Sequence, residues 1–262
     1  NSLNLIPLMN SRLSIGKPTK ESGKTAYESI LNAIELIKSN KADAIVTSPI
    51  SKTAFQLAGI NFPGHTELLA ASEKQNNFLM MFLSQNINAG LLTIHEPIKK
   101  VPSLITKKRI IDALSLINRT LKEDFRIDNP KIAVLGLNPH AGENGNIGRE
   151  ETDMIIPAIK SFGKKINVEG PFVPDAFWAT RKKLRYDFVL GMYHDQVLIP
   201  FKMLNFDKGV NYTAGLRMIR TSPDHGTAFD IAGKGIASET SLYEAYRYAI
   251  KIHSNRIRLI EN

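Results

Sequence analysis

Three histidines end apolar stretches of the chain, where their imidazole rings could act together. They are His95, His140 and His194. If the stretches are parallel neighbouring strands, or come from two facing subunits, the imidazoles converge. Three neutral imidazoles with an open position form a standard catalytic site for a divalent metal ion. A single histidine of this kind is more often structural, and no two of these share a short ligand motif, so spacing alone leaves the metal site open.

Two aspartates are candidates to assist the histidines. Asp195 follows His194 directly, where its carboxylate would orient a metal ligand. Asp175 is a second candidate. Both also fit a turn aspartate that bonds its own backbone, and for Asp175 alone this interpretation is favoured.

Three polar residues stand at regular intervals beside apolar neighbours. Lys202, Asn211 and Arg220 are spaced nine residues apart. Any one of them alone is typical of a solvated surface.

Glycine-containing loops have the composition of ligand sites. The loop 138–148 precedes a predicted helix, whose N-terminus favours anions, although a flexible surface loop is the alternative. The segment 63–67 places His65 and Thr66 at a helix start, which suits a phosphate or carboxylate; an N-cap by Thr66 is the alternative. The segment 224–235 contains glycines at two places, near its start and at its end. The chain contains neither a G-x-G-x-x-G fingerprint nor a P-loop, the two common nucleotide-binding motifs.

Predicted strands alternate with predicted helices along the chain, which indicates an α/β fold with a largely parallel sheet. Strands are predicted at 42–47, 77–83, 90–94, 131–137 and 188–193. Helices are predicted at 21–39, 51–58, 66–72, 103–122, 150–162 and 241–261, with Ser103 capping one and Glu150, Glu151 and Asp153 favouring the dipole of another.

Composition restricts the class of protein. The 262 residues, 43% hydrophobic and 23% charged, suit one large globular domain or two lobes. The lack of cysteine excludes disulfides, thiolate metal ligands and a cysteine nucleophile. The net charge of +9 favours a lysine-rich surface that would attract a phosphorylated substrate. We expect a cytoplasmic protein, since the sequence has neither a signal peptide nor a membrane-spanning run, and we expect N-terminal sequence to be missing.

Five sequence blocks resemble, in order, the 4-hydroxythreonine-4-phosphate dehydrogenases of vitamin B6 synthesis. They are GHTE (64–67), LNPHAGENGNIGREE (137–151), YHDQ (193–196) with Lys202 after it, GVNYTAG (209–215) and IRTSPDHGTAFDIAGKG (219–235). The last block is also similar to the adenosine-binding loop of isopropylmalate and isocitrate dehydrogenases. The resemblance implies their two-lobed fold, with the active site in the cleft between the lobes. The nucleotide-side lobe would comprise 1–66 with 206–262, and the metal and dimerisation lobe 67–205.

The resemblance also implies roles for individual residues in a homodimer whose active sites are shared between subunits. The implied metal ligands are His95, His140 and His194. The implied substrate contacts are His65, Thr66, Lys202, Asn211 and Arg220. The implied cofactor-binding residues are Asp224, His225, Gly226, Thr227 and Ala228. Catalytic candidates are Lys202, Asp195 and Asp175, and the identity of the proton acceptor stays open.

The implied reaction is NAD- or NADP-dependent oxidation of 4-phosphohydroxy-L-threonine to 2-amino-3-oxo-4-phosphooxybutanoate. This β-keto acid then decarboxylates to 3-amino-2-oxopropyl phosphate. The implied metal is commonly zinc, with magnesium or cobalt as alternatives. One family feature, an N-terminal strand with a G-D-P-x-G-I-G type motif, is not in the sequence given.

Three other functions are compatible with the same residues. A sister dehydrogenase would use the same metal and cofactor on a phosphorylated threonate or erythronate, or on a cyclic diol. A metal-dependent hydrolase would use the three histidines to activate water. A basic nucleic-acid-binding protein would show steeply salt-dependent binding, but the sequence has no motif for it.

Overall fold

A computed structural model describes residues 4–7, 14–62 and 64–260, without the side chains of 181–184 and 260. Parts of the expected nucleotide-side lobe, and the end expected for the last helix at residue 261, lie outside the described residues. No described helix is both long enough and apolar enough to cross a membrane.

The described residues form an alternating series of helices and strands. The helices, α1 to α9, are Lys20–Lys38, Lys52–Leu57, His65–Ser72, Val101–Leu104, Lys107–Glu123, Ile156–Lys160, Pro174–Leu184, His194–Asn205 and Thr240–Ile260. The strands, β1 to β8, are Ala44–Val46, Leu79–Leu83, Ala89–Leu91, Ile132–Leu135, Val168–Phe172, Phe188–Gly191, Val210–Ala214 and Ile219–Pro223.

All eight strands join one sheet in the order β1-β8-β7-β2-β3-β6-β4-β5. The pairs β1/β8, β3/β6, β6/β4 and β4/β5 are parallel, and the three pairs between β8 and β3 are antiparallel. The short connections β2–β3 and β7–β8 require antiparallel pairing. The predicted α/β class with a mostly parallel sheet is confirmed. The residue boundaries predicted for two lobes stay a prediction.

The two faces of the sheet are covered differently. On one face, α5 and α9 pack over a continuous core that includes Leu114, Tyr212 and Ile252. On the other face the apolar residues form two separate clusters. One lies under α1, α2 and α3 around Phe55, and the other lies under α7 and α8 around Phe201. The gap between these two clusters leaves room for a cavity on the sheet.

The helix predicted at 103–122 is wrong at its start. The chain forms two helices, because Ile105 is extended between α4 and α5. The cap of α5 is Thr106, whose Oγ1 accepts from the Arg109 amide at 3.2 Å, whereas the Ser103 hydroxyl donates to the carbonyl of Lys100. The segment predicted as one helix at 150–162 is a π-helical turn, Glu151–Ile155, followed by α6.

Candidate active site

A cavity of about 250 Å³ collects most of the residues that the sequence singled out. It is lined by residues from β2, β7 and β8, from α2, α3 and α8, and from the loops after β1, β3 and β8. A larger cavity of about 560 Å³ lies against α5, but it contains none of the predicted site residues.

The strand register explains why distant polar residues meet here. Asn211 of β7 pairs with Ser222 of β8, and Arg220 lies two residues before Ser222. Alternate residues of a strand point to the same face, so Asn211, Arg220 and Ser222 all face the cavity. The nine-residue spacing of Asn211 and Arg220 is thus the spacing of a hairpin.

Arg220 lies at the floor of the cavity and is 4% exposed. Its Nε and Nη2 atoms donate to Thr47 Oγ1 at 3.1 and 2.8 Å, which fixes the plane of the guanidinium. Burial lowers the pKa of Arg220 to about 10, and the charge of Glu67 opposes this shift. Arg220 therefore remains a cation at neutral pH and can bind an anion.

His65 and Thr66 form the first turn of α3. The N-cap is Gly64, so the alternative in which Thr66 caps the helix is wrong. The Thr66 hydroxyl instead lies 3.4 Å from that of Thr213. Burial, and next the charge of Arg220, lower the pKa of His65 to about 3, so its imidazole is neutral.

Lys202 of α8 reaches the other side of the cavity. Its Nζ donates to the carbonyl of Asp224 at 3.0 Å and lies 3.6 Å from Asp224 Oδ2. Burial raises the pKa of Asp224, and the charge of Lys202 opposes this shift. Asp224, His225 and Gly226 line the cavity, while the remaining predicted cofactor residues, Thr227 and Ala228, follow in the same loop and are not among its lining residues.

Asn211 carries an unsatisfied acceptor. Among the buried side-chain oxygen and nitrogen atoms of the described residues, Asn211 Oδ1 is the one that has no hydrogen-bond partner. Buried polar atoms are nearly always paired in folded proteins. Since Asn211 lines the cavity, a bound molecule is the natural partner.

The three predicted metal ligands are only partly assembled. Their strands β3, β6 and β4 are parallel neighbours, as expected. The rings of His95 and His194 lie 5.9 Å apart between centroids. However, no group of three His, Asp or Glu side chains among the described residues of this one chain could hold a metal ion. Two imidazoles therefore suit a shared ion, and His140 does not join them within the chain.

His140 lies on an unusual turn. His140, Ala141, Gly142, Glu143 and Asn144 all have positive φ angles. The buried carboxylate of Glu151 holds the base of this turn. Its Oε1 accepts from the amides of Leu137 and Asn138 at 2.7 and 2.8 Å, and its Oε2 accepts from the Asn138 side chain.

The two candidate aspartates have different surroundings. Asp195 Oδ1 lies 2.6 Å from His194 Nδ1. An ionised carboxylate only accepts, so this contact places the proton on Nδ1 and leaves Nε2 free to act as a ligand. Asp175 is exposed in the first turn of α7 and does not line the cavity.

Sequence reasoning missed the roles of four residues in this region. Lys52 and Glu67 line the cavity, Glu151 holds the His140 turn, and Gln196 ties two strand ends together. Gln196 donates to the carbonyl of Gly136 at 2.6 Å and accepts from the Met192 amide at 2.7 Å. Glu67, Glu151 and Gln196 each lie within one of the five sequence blocks that already contained a candidate residue, and this position was the available signal. For Lys52 the sequence carried no such signal.

Comparisons with known proteins agree on one family. The family model of the pyridoxal phosphate biosynthetic protein PdxA matches residues 1–249. A 4-hydroxythreonine-4-phosphate dehydrogenase of a Sulfurihydrogenibium species is 46% identical over 247 residues, which cover 94% of this chain and 76% of that protein. The enzyme of the same name from Bacteroides thetaiotaomicron is 45% identical over 249 residues, which cover 94% of this chain and 68% of that protein.

Solved structures give the same result. A crystal structure of 4-hydroxythreonine-4-phosphate dehydrogenase from Klebsiella pneumoniae has a TM-score of 0.81 and 38% identity, covering 92% of this chain and 74% of that chain. A terephthalate 1,2-cis-dihydrodiol dehydrogenase from Burkholderia xenovorans shares the fold, with a TM-score of 0.66 and 24% identity. The match covers 91% of this chain and 76% of that chain. The chain belongs to the PdxA family of pyridoxal phosphate biosynthetic proteins.

Proposed function

We propose that this chain oxidises 4-phosphohydroxy-L-threonine with NAD or NADP to 2-amino-3-oxo-4-phosphooxybutanoate, which then decarboxylates to 3-amino-2-oxopropyl phosphate. The observation that carries the proposal is the cavity on the sheet, where His65, Thr66, Lys202, Asn211 and Arg220 meet. These are the five residues for which the family resemblance implies substrate contacts.

The charges of the cavity suit a substrate with two anionic groups. Lys52, Lys202 and Arg220 line it, and so do the residues of the first turn of α3. A phosphate and a carboxylate both bind well to a fixed guanidinium and to a helix N-terminus. The neutral His65 adds a hydrogen-bonding group without adding a charge that would compete with Arg220.

Oxidation removes a hydride from the carbon that bears the substrate hydroxyl, and a proton from that hydroxyl. A bound nicotinamide would accept the hydride, and the loop from Asp224 to Ala228 is the proposed binding segment. Of the described candidates Lys202, Asp195 and Asp175, Lys202 alone lines the cavity, so we assign the proton transfer to it: its side chain would accept the hydroxyl proton in the unprotonated amine form and become an ammonium. The β-keto acid formed loses carbon dioxide without further oxidation.

We assign the divalent metal, zinc or alternatively magnesium or cobalt, to His95, His140 and His194. A divalent ion there would supply Lewis-acid catalysis. His95 and His194 lie close together within one chain. We propose a homodimer in which His140 comes from the partner subunit. Asp195 would hold His194 in the tautomer that binds metal.

A turnover assay tests this function. The purified full-length protein is mixed with 4-phosphohydroxy-L-threonine and NAD or NADP, with and without a chelator, and reduced nicotinamide is followed by absorbance. We expect turnover that the chelator abolishes and that added zinc, magnesium or cobalt restores. Turnover of only a phosphorylated threonate or erythronate, or of a cyclic diol, would assign the chain to a sister activity. The cytoplasmic location stays a prediction.

A further inference from the structure

Glu67 stands in the cavity wall, and none of the described residues pairs with its carboxylate. It is the third residue of α3 and lines the cavity beside His65 and Thr66. Within the described part of the chain, no hydrogen bond or ion pair engages its side chain. Arg220 and His95 line the same cavity, and the charge of Glu67 opposes the lowering of the pKa of Arg220 that burial causes.

The other acidic residue in the wall is already engaged. Asp224 lies 3.6 Å from Lys202 Nζ, and its side chain is 14% exposed. The remaining charged groups of the wall are cations. Glu67 is therefore the carboxylate that a positively charged group of a ligand would meet first.

The proposed substrate has such a group. It carries a phosphate and a carboxylate, which the cationic residues would bind, and an ammonium group on the carbon beside the carboxylate. An ammonium donates hydrogen bonds and accepts none. Asn211 Oδ1 is a buried acceptor that has no partner among the described residues, so a ligand in this cavity should donate a hydrogen bond to it. The hydroxyl or the ammonium group of the substrate can provide this bond.

We propose that Glu67 binds the ammonium group of the substrate and thereby selects the amino acid over the corresponding hydroxy acid. This inference rests on the proposed function. Sister substrates such as phosphorylated threonate carry a hydroxyl at this carbon, which gains far less than an ammonium from an adjacent carboxylate.

The test is the ratio of kcat/KM for 4-phosphohydroxy-L-threonine to kcat/KM for 4-phosphothreonate. In Glu67→Gln, which keeps the volume and removes the charge, we expect kcat/KM for the amino acid to fall roughly 10- to 100-fold. The value for the hydroxy acid should stay level or rise. Glu67→Asp, which keeps the charge, should retain part of the selectivity. Glu28→Gln removes an exposed charge on α1 and serves as the control.

Each of the following outcomes would overturn the proposal. An equal fall for both substrates would mean that Glu67 acts only through α3 or Arg220. Unchanged kcat/KM values for both substrates in Glu67→Gln would mean that the carboxylate does not bind the ammonium group. Wild-type protein without activity on the amino acid would reject the proposed function and this inference with it. If Glu67→Gln fails to fold, as judged by thermal melting, equal binding of both substrates by the wild type would reject it.

Discussion

The polar side chains on the cavity floor are kept functional by specific neighbours. Arg220 is almost fully buried, a position that is costly for a cation unless it is hydrogen-bonded, and Thr47 supplies an acceptor for two of its N–H groups. His65 avoids the cost by remaining neutral. The sequence located both residues, but not their partners, because Thr47 lies at the end of a strand distant along the chain.

His65 makes the stability of the protein depend on pH. Its pKa is about 3 in the folded state, against an ordinary value of 6.5 that applies to the unfolded chain, so below pH 6.5 the unfolded chain binds a proton that the folded chain does not. The stabilisation is present above pH 6.5 and is lost as the pH falls towards 3. Between pH 7.5 and 5.5, the unfolding free energy of the wild type should fall about 1.4 kcal/mol more than that of His65→Gln.

Urea unfolding at each pH measures this difference. Parallel pH curves for the wild type and His65→Gln would show that His65 takes up its proton equally in both states, and would contradict the account of its burial.

The elements that carry the histidines were only partly predictable. The strands before His95, His140 and His194 follow from runs of apolar residues, whereas their parallel neighbourhood, which the sequence left as a condition, is seen in the structure. The helix α8, which begins at His194 itself, was missed because its apolar residues continue the pattern of β6. The strands β7 and β8 were missed because polar site residues interrupt their apolar sequence.

The turn that carries His140 is held by the buried carboxylate of Glu151. The sequence assigned Glu151 to the dipole of a helix, whereas the structure shows it buried and bonded to the turn. Glu151→Gln would place an amide N–H against the Asn138 side-chain donor. We expect the unfolding free energy to fall by about 1–3 kcal/mol, with weaker zinc binding measured by calorimetry.

Asp153→Asn is the matched control on the same π-helical turn as Glu151, since Asp153 is exposed and, among the described residues, its side chain bonds to Arg149 and Thr152 of its own segment. It should leave both quantities unchanged. If Glu151→Gln unfolds at the same urea concentration as the wild type, the carboxylate does not hold the turn.

The whole molecule places the cavity between two apolar clusters on one face of a single sheet. The sequence predicted the class of fold because the spacing of apolar residues within each helix and strand is a local property. It could not predict the antiparallel centre of the sheet, because that depends on pairings between distant strands such as β2 and β7. It also could not reveal which histidines meet within one chain.

A mixing experiment tests whether the metal site is shared between subunits. His140→Ala and His194→Ala proteins should each be inactive. If His140 comes from the partner, mixed dimers contain one intact site, so remixing the variants after dissociation should restore up to about a quarter of wild-type activity. Sedimentation should show dimers in every sample. No recovery from well-mixed dimers would place all ligands of a site in one subunit.

The most direct test of the proposed oxidation uses substrate labelled at its carboxylate carbon. Full-length protein is incubated with this 4-phosphohydroxy-L-threonine and NAD or NADP, and reduced nicotinamide and labelled carbon dioxide are measured in the same samples. We predict that the two products form in equal amounts and that both are lost when Arg220 is replaced. Labelled carbon dioxide without reduced nicotinamide, or neither product from a folded protein with bound metal, would contradict the proposed oxidation.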